Sequence, residues 1–162
     1  MSAGDSLLHV IGGISHSKVL HSMQSVGQSQ ILREQKIEIE SRALSFWFAS
    51  AVTLDNGNII LTGGRQTPKE AFIWSNLGIW TRLPKLNHGR YGHSSCSIVH
   101  DGSENVIVAG GWNKDGTKIQ SSVEIYQLNN PGKGWTEIQS LVSPRTLFTL
   151  QVISIGKPFY CF

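Results

Sequence analysis

The chain has 162 residues, 40% of them hydrophobic and 15% charged, with a formal net charge of +3. That composition excludes an intrinsically disordered chain, which combines low hydrophobicity with high net charge. The Lys and Arg residues are too scattered for a nucleic-acid footprint. A membrane-spanning helix is also excluded, because the longest charge-free candidate, Ala43 to Leu54, falls short of the ~20 apolar residues required and contains Ser45, Ser50 and Thr53.

The N-terminal segment shows no Lys or Arg before its short apolar run and carries Asp5, so no secretory signal is expected. Cys96 and Cys161 make no disulfide framework, and no Asn-x-Ser/Thr acceptor occurs. A reducing, cytoplasmic setting follows as the expectation. The length suggests one domain.

Self-similarity organises the rest. Glycine pairs Gly12-Gly13, Gly63-Gly64 and Gly110-Gly111 each close an apolar run. Arg42, Arg90 and Arg145 recur in phase with them. Trp80 and Trp135 each stand ten residues before one of those arginines, and Leu32 takes the place in the first unit. The period is about 50 residues, the range of repeat architectures.

Within each period the signals are β. Phe48 to Leu54 reads as a strand, Asp55-Asn56-Gly57 as its turn and Asn58 to Thr62 as the return. The segments 70–75 and 79–83 complete that unit. Ser94 to His100, Asp101-Gly102 and Asn105 to Ala109 repeat the pattern, followed by strands over Ser121 to Leu128 and Gly134 to Ile138. Four short strands per period point to a propeller blade rather than a sandwich. Residues 14–41 carry the weakest signal and are assigned to β by repeat phase.

The residues that recur resemble the kelch repeat. The unit from Arg90 to Val142 carries the order Arg-x-Gly-His, apolar-Gly-Gly, Val-Glu-x-Tyr with Tyr126, and Trp135, and Pro144-Arg145 follows it. The preceding unit keeps Gly63-Gly64 and Trp80 but has Trp74 at the tyrosine position. The resemblance implies an all-β fold, a kelch-type β-propeller of which this chain holds about three four-stranded blades. It divides the chain into a degenerate repeat (1–41), a second (42–89), a third with the fullest pattern (90–143) and the start of another (144–162). Closed propellers have four to eight blades. An incomplete propeller is therefore expected, either a fragment of a longer protein or a part of an assembly.

No catalytic constellation emerges. His16/His21 and His88/His93 are each five apart, which suits neither one helix face nor one strand face. His93 sits at the repeat's own histidine position and reads as structural. Glu38 and Glu40 read as a solvated face. No nucleophile elbow or phosphate loop is present. No zinc pairing is present, no metal or cofactor is expected, and Cys96 reads as a small buried hydrophobe.

The resemblance implies partner docking on the face that carries the loop after each glycine pair and the loop leading into each repeat arginine. That makes Arg42, Arg65, Arg90, Trp112, Asn113, Lys118 and Arg145 the candidate partner-binding residues. Gly12, Gly13, Gly63, Gly64, Trp80, Gly110, Gly111, Tyr126 and Trp135 are the structural markers. Arginine suits a bidentate grip on carboxylate, so an acidic protein or peptide is the expected partner. The expectation is a non-catalytic recognition scaffold, such as part of a ubiquitin-ligase adaptor, with self-association as one way to complete the ring. The alternative is an enzyme on the same scaffold, a sugar oxidase or isomerase.

Overall fold

Short apolar segments separated by Gly, Asn and Asp turns cannot build helices of useful length, and the chain folds as antiparallel sheets. The computed structural model describes residues 8–12, 14–15, 18–19, 22–26, 31–39, 42–43, 46–75, 77–100 and 102–152. Among the described residues, seven strands precede the middle sheet: β1 (Leu8–Ile11), β2 (Ile14–Ser15), β3 (Lys18–Val19), β4 (Ser22–Val26), β5 (Ile31–Lys36), β6 (Glu38–Ile39) and β7 (Arg42–Ala43). Of these, β1, β4 and β5 form one three-stranded sheet in the order β1-β4-β5, while β2 pairs with β3 and β6 with β7.

The middle sheet holds β8 (Ser50–Thr53), β9 (Ile59–Thr62), β10 (Ala71–Trp74) and β11 (Trp80–Arg82), in the order β11-β10-β9-β8. After β12 (Arg90–Tyr91) come β13 (Ser94–His100) and β14 (Ser103–Ala109), then β15 (Trp112–Asn113), β16 (Val123–Gln127) and β17 (Trp135–Ile138). The last sheet runs β13-β14-β16-β17, and β12 pairs with β15. One 3₁₀ turn, Pro131–Lys133, joins β16 to β17. The fold is thus all-β, built of propeller-type blades of consecutive antiparallel strands.

The turn chemistry matches the residues. His100 faces Ser103 across a two-residue loop, with Gly102 at φ 69°. Such loops need positive φ, which glycine adopts without steric cost. The glycine pairs are tighter still. Gly63 has φ 61°, and a Cβ there would lie 2.4 Å from the Arg90 carbonyl oxygen. Gly110 repeats this against the Arg145 carbonyl at 2.5 Å. Gly12 also takes positive φ and donates its N–H to the Ser22 carbonyl, as Gly63 does to Glu70 and Gly110 to Ser122. Gly13 lies outside the described residues.

The core sits between the sheets. Met23, Ile37 and Phe46 pack against Ile59, Leu61 and Phe72, joining the first sheet to the middle one. Leu54, Ile60 and Ala71 pack against Val106, Val108, Tyr126 and Trp135, joining the middle sheet to the last. Each fully buried side chain of this size contributes about 1.5–3 kcal/mol, so the blades hold one another through these faces. Among the described residues no helix is long and apolar enough to cross a membrane.

Candidate functional site

Register places the repeats on one another. Ser94 faces Ala109 at the start of the last sheet, as Ser50 faces Thr62 in the middle sheet. Counting back, Gly92 falls on Phe48 and Arg90 on Phe46. Backbone geometry agrees: Phe48, Gly92 and Leu147 all take φ of 54–61°. Hydrogen bonds link the three in series, from Gly92 N–H to the Phe48 carbonyl and from Leu147 N–H to the Gly92 carbonyl.

Arg90 is corrected from a partner-binding residue to an internal tie. Its side chain is 0% exposed and pairs with Glu124, also 0% exposed, at 2.7 Å. Nη1 donates to the carbonyls of Gly110 and Ser122, and Nη2 to Ser122 Oγ and Glu124 Oε1. The Arg90 backbone meanwhile holds the previous blade, since its carbonyl accepts Gly64 N–H and its own N–H reaches Pro68. Burial lowers the guanidinium pKa, and the hydrogen bond to Glu124 opposes that shift. Glu124 also accepts the backbone N–H groups of Asn87 and His88. A guanidinium enclosed this way cannot reach a partner.

The expected phase of Arg42 is corrected too. Phe46, not Arg42, holds the Arg90 position in the middle blade. Arg42 lies on β7, and its side chain is outside the described residues. Arg145 does match Arg90: Gly111 N–H bonds its carbonyl at 2.8 Å, as Gly64 N–H bonds that of Arg90. Its side chain is exposed, with the guanidinium 6.0 Å from the Phe148 ring.

The loop face gathers the remaining candidates around Arg65. This exposed side chain follows Gly63-Gly64, lies 4.6 Å over the Tyr91 ring and hydrogen-bonds the Tyr91 hydroxyl. Phe48, 43% exposed, stacks on Trp47 at 5.1 Å and reaches Tyr91 at 6.3 Å. Trp112 pairs with Tyr91 across the β12–β15 ladder. The loop between β15 and Lys118 closes against this group, because a Cβ on Gly116 would meet both Tyr91 and Arg65.

Asn113 organises that loop, and its side chain is spent on it. Its Oδ1 accepts Thr117 N–H at 2.9 Å and Lys118 N–H at 3.2 Å. Lys118 stays exposed and borders an open cavity of about 430 Å³ shared with His88, Gln120 and Glu137. Among the described residues no carboxylate pairs with Arg65, Lys118 or Arg145.

The resemblance to the kelch repeat points to Arg65, Trp112 and Lys118 but not to Trp47, Phe48 and Tyr91. The run Phe46-Trp47-Phe48 was the available signal. Only its last residue, Phe48, lies in a segment read as strand.

The other chemistry-bearing groups are occupied in packing. His93 is buried, its Nε2 is 2.8 Å from Thr62 Oγ1, and burial followed by the nearby Arg90 charge pulls its pKa to about 3. Burial raises the Cys96 thiol. Tyr126 is buried against Trp135, ring centroids 5.2 Å apart. Trp135 bridges to the middle blade through Nε1–H to the Pro84 carbonyl at 2.9 Å. Among the described residues no three His, Cys, Asp or Glu side chains gather to hold a metal ion.

No protein-family model matches the chain. It is similar to kelch-like protein 24 of Homo sapiens, 36% identical over 77 residues, which are 47% of this chain and 12% of that protein. The kelch-like protein 24 of Mus musculus aligns equally. It is also similar to tRNA wybutosine-synthesizing protein 4 of Aspergillus fumigatus, 31% identical over 94 residues, 56% of this chain and 9% of that protein. The chain therefore spans 9–12% of the length of these relatives. Among solved structures it resembles a fungal alcohol oxidase of the AA5 family in complex with copper, with a TM-score of 0.51 and 17% identity over 73% of this chain and 24% of that one. At that identity the likeness is one of fold. The chain is thus similar to kelch-like protein 24 over about half its length, and its all-β sheets are propeller-like in fold.

Proposed function

We propose that this chain is a non-catalytic protein-interaction module that binds an acidic peptide segment on the loop face around Arg65. The observation that carries the reading is the exposed Arg65 guanidinium, stacked on Tyr91, with no carboxylate partner among the described residues. A stacked guanidinium is pre-oriented, so it loses little entropy on gripping a carboxylate. Trp47, Phe48 and Trp112 supply the aromatic contact that interface hot spots favour. Lys118 adds an exposed cation on the same loop, whose Gly116 closes against Arg65 and Tyr91. Strands hold these loops rigidly, which suits recognition. Similarity to the kelch-like proteins supports a scaffold role within a larger adaptor. A cysteine count too low for a disulfide framework supports a cytoplasmic setting.

The test is selection of peptides from a displayed random library on the immobilised chain, followed by titration of the winners in solution. Enriched peptides carry Asp or Glu beside an apolar residue, and their affinity falls as salt rises. Arg65→Ala weakens them about tenfold or more without lowering the melting temperature. Winners without acidic residues, or winners indifferent to Arg65→Ala, would remove the reading.

A further inference from the structure

Two loops run side by side on the face that carries Arg65. One follows Gly63-Gly64 and holds Arg65 and Lys69, and the other follows Gly110-Gly111 and holds Lys114 and Lys118. They meet at two points. At the first, a Cβ on Gly116 would lie 2.7 Å from Arg65 Nη1. At the second, a Cβ on Gly89 would lie 3.1 Å from Lys114 Cβ and 3.2 Å from Lys69 Cγ. Gly89 does not take positive φ, so space rather than backbone conformation calls for glycine there. The stems of two lysines from different blades therefore converge over one buried glycine.

Both lysines stand on fixed backbone. The Lys69 carbonyl accepts Leu86 N–H at 2.9 Å, and the Pro68 carbonyl before it accepts Arg90 N–H at 2.7 Å. Asn113, just before Lys114, ties its loop through Oδ1 and donates its N–H to the Lys118 carbonyl at 2.8 Å. A pocket of about 270 Å³ opens where the loops converge, lined by Lys69, His88, Gly89, Lys114 and Asp115 among others.

The charge around this pocket is unbalanced. Lys69 and Lys114 are exposed, and among the described residues neither has a carboxylate partner. The nearby carboxylates are committed elsewhere: Glu70 to Arg82 and Lys85, Glu124 to Arg90, and Glu137 to His88. Among the described residues Asp115 is the only carboxylate that lines the pocket. Lysine binds phosphate as a point charge. A carboxylate brings one negative charge, whereas a phosphate monoester brings about 1.5 to 2 at pH 7 and three acceptor oxygens, enough to meet two ammonium groups.

We propose that this pocket takes a phosphate monoester on the peptide that Arg65 grips, so that the partner is a phosphopeptide. The inference rests on the peptide reading of the Arg65 face. Lys114 and Gly116 are two residues apart, so the lysine pocket and Arg65 border one stretch of loop at most about 7 Å long between Cα atoms. An extended peptide rises about 3.3 Å per residue, which puts the carboxylate for Arg65 within about four residues of the phosphate.

The test selects peptides with a central phosphoserine and random flanks on the immobilised 162-residue chain, then titrates the winners in phosphorylated and serine forms. The phosphorylated form binds about tenfold tighter or more, the equivalent of one charge-assisted hydrogen bond. Lys69→Ala and Lys114→Ala each bring that ratio toward one, without changing the affinity of the serine form or the melting temperature. Asp115→Asn raises the ratio. Added inorganic phosphate competes with the phosphorylated form only. Arg65→Ala weakens both forms by the same factor and keeps the ratio. No enrichment, or a ratio near one in the unmodified chain, overturns the phosphate pocket, and so does a ratio that survives the Lys69→Ala, Lys114→Ala double variant. Capture by vesicles of phosphatidylcholine and phosphatidylinositol phosphate without that preference overturns it in favour of a lipid headgroup. A serine form indifferent to Arg65→Ala removes the Arg65 reading instead, and a ratio that still collapses in the double variant keeps the pocket.

Discussion

Phe46 meets Phe72 edge to face, ring centroids 5.6 Å apart, at the two positions where the neighbouring blade holds Arg90 against Glu124. One fold position therefore accepts either an apolar pair or a buried ion pair. The choice is made jointly by two residues that lie far apart in sequence, 26 in one blade and 34 in the other. Each pair answers the same requirement: a side chain at the blade's entry must fill the space beneath the glycine pair and the third strand.

Breaking the ion pair from one side leaves a buried charge without its partner. Arg90→Ala or Glu124→Ala alone should cost about 3–5 kcal/mol in urea unfolding. Arg90 Nε already lacks a partner, so the pair is not fully satisfied. Arg90→Phe combined with Glu124→Phe copies the middle blade and should recover most of that loss. Strict additivity of the two single costs would show that the positions are not coupled.

The glycine pairs are required by contact as well as by φ. Gly57→Ala meets open space at φ 81° and should cost about 1–2 kcal/mol, the strain of a left-handed residue. Gly63→Ala adds a clash with the Arg90 carbonyl and should cost at least about 3 kcal/mol. Equal costs for the two substitutions in thermal unfolding would contradict the 2.4 Å approach.

His93 makes stability depend on pH. Its folded pKa is lowered to about 3 from 6.5, so between these values the unfolded chain binds more protons than the folded one. Its contribution is complete above about pH 6.5 and is lost as pH falls toward 3. His93→Gln should flatten the fall in melting temperature over that window. An unchanged slope would assign the acid sensitivity to other groups.

Trp135 is 4% exposed and joins two blades. Trp135→Ala should cost about 3–5 kcal/mol through the cavity it leaves. Trp135→Phe keeps much of the packing but strips the Pro84 carbonyl of its donor, and should cost about 1–3 kcal/mol. A Phe variant as damaged as the Ala variant would make the hydrogen bond the larger effect.

Strand pattern was most legible where local signals agree. The strand Ser94–His100 falls where alternation and the Asp101-Gly102 turn place it. The strands over 22–26 and 31–36 carried no turn signal of comparable strength and rested on repeat phase alone. The phase of Arg42 misled because spacing counts residues, while loops of different length separate equivalent positions. Arg90 lies 44 residues after Phe46 and 55 before Arg145. A positive φ at Phe48 and Leu147, which marks the true phase, leaves no trace in residues that seldom adopt it.

By itself the sequence determined the all-β class, the blade unit and the glycine turns, because alternation and tight turns are set by residues close along the chain. Tertiary structure alone decided which arginines face solvent. Arg90 is enclosed by Glu124, 34 residues away, and Arg65 is propped outward by Tyr91, 26 residues away. Burial is a property of what folds over a side chain, and no local pattern records it.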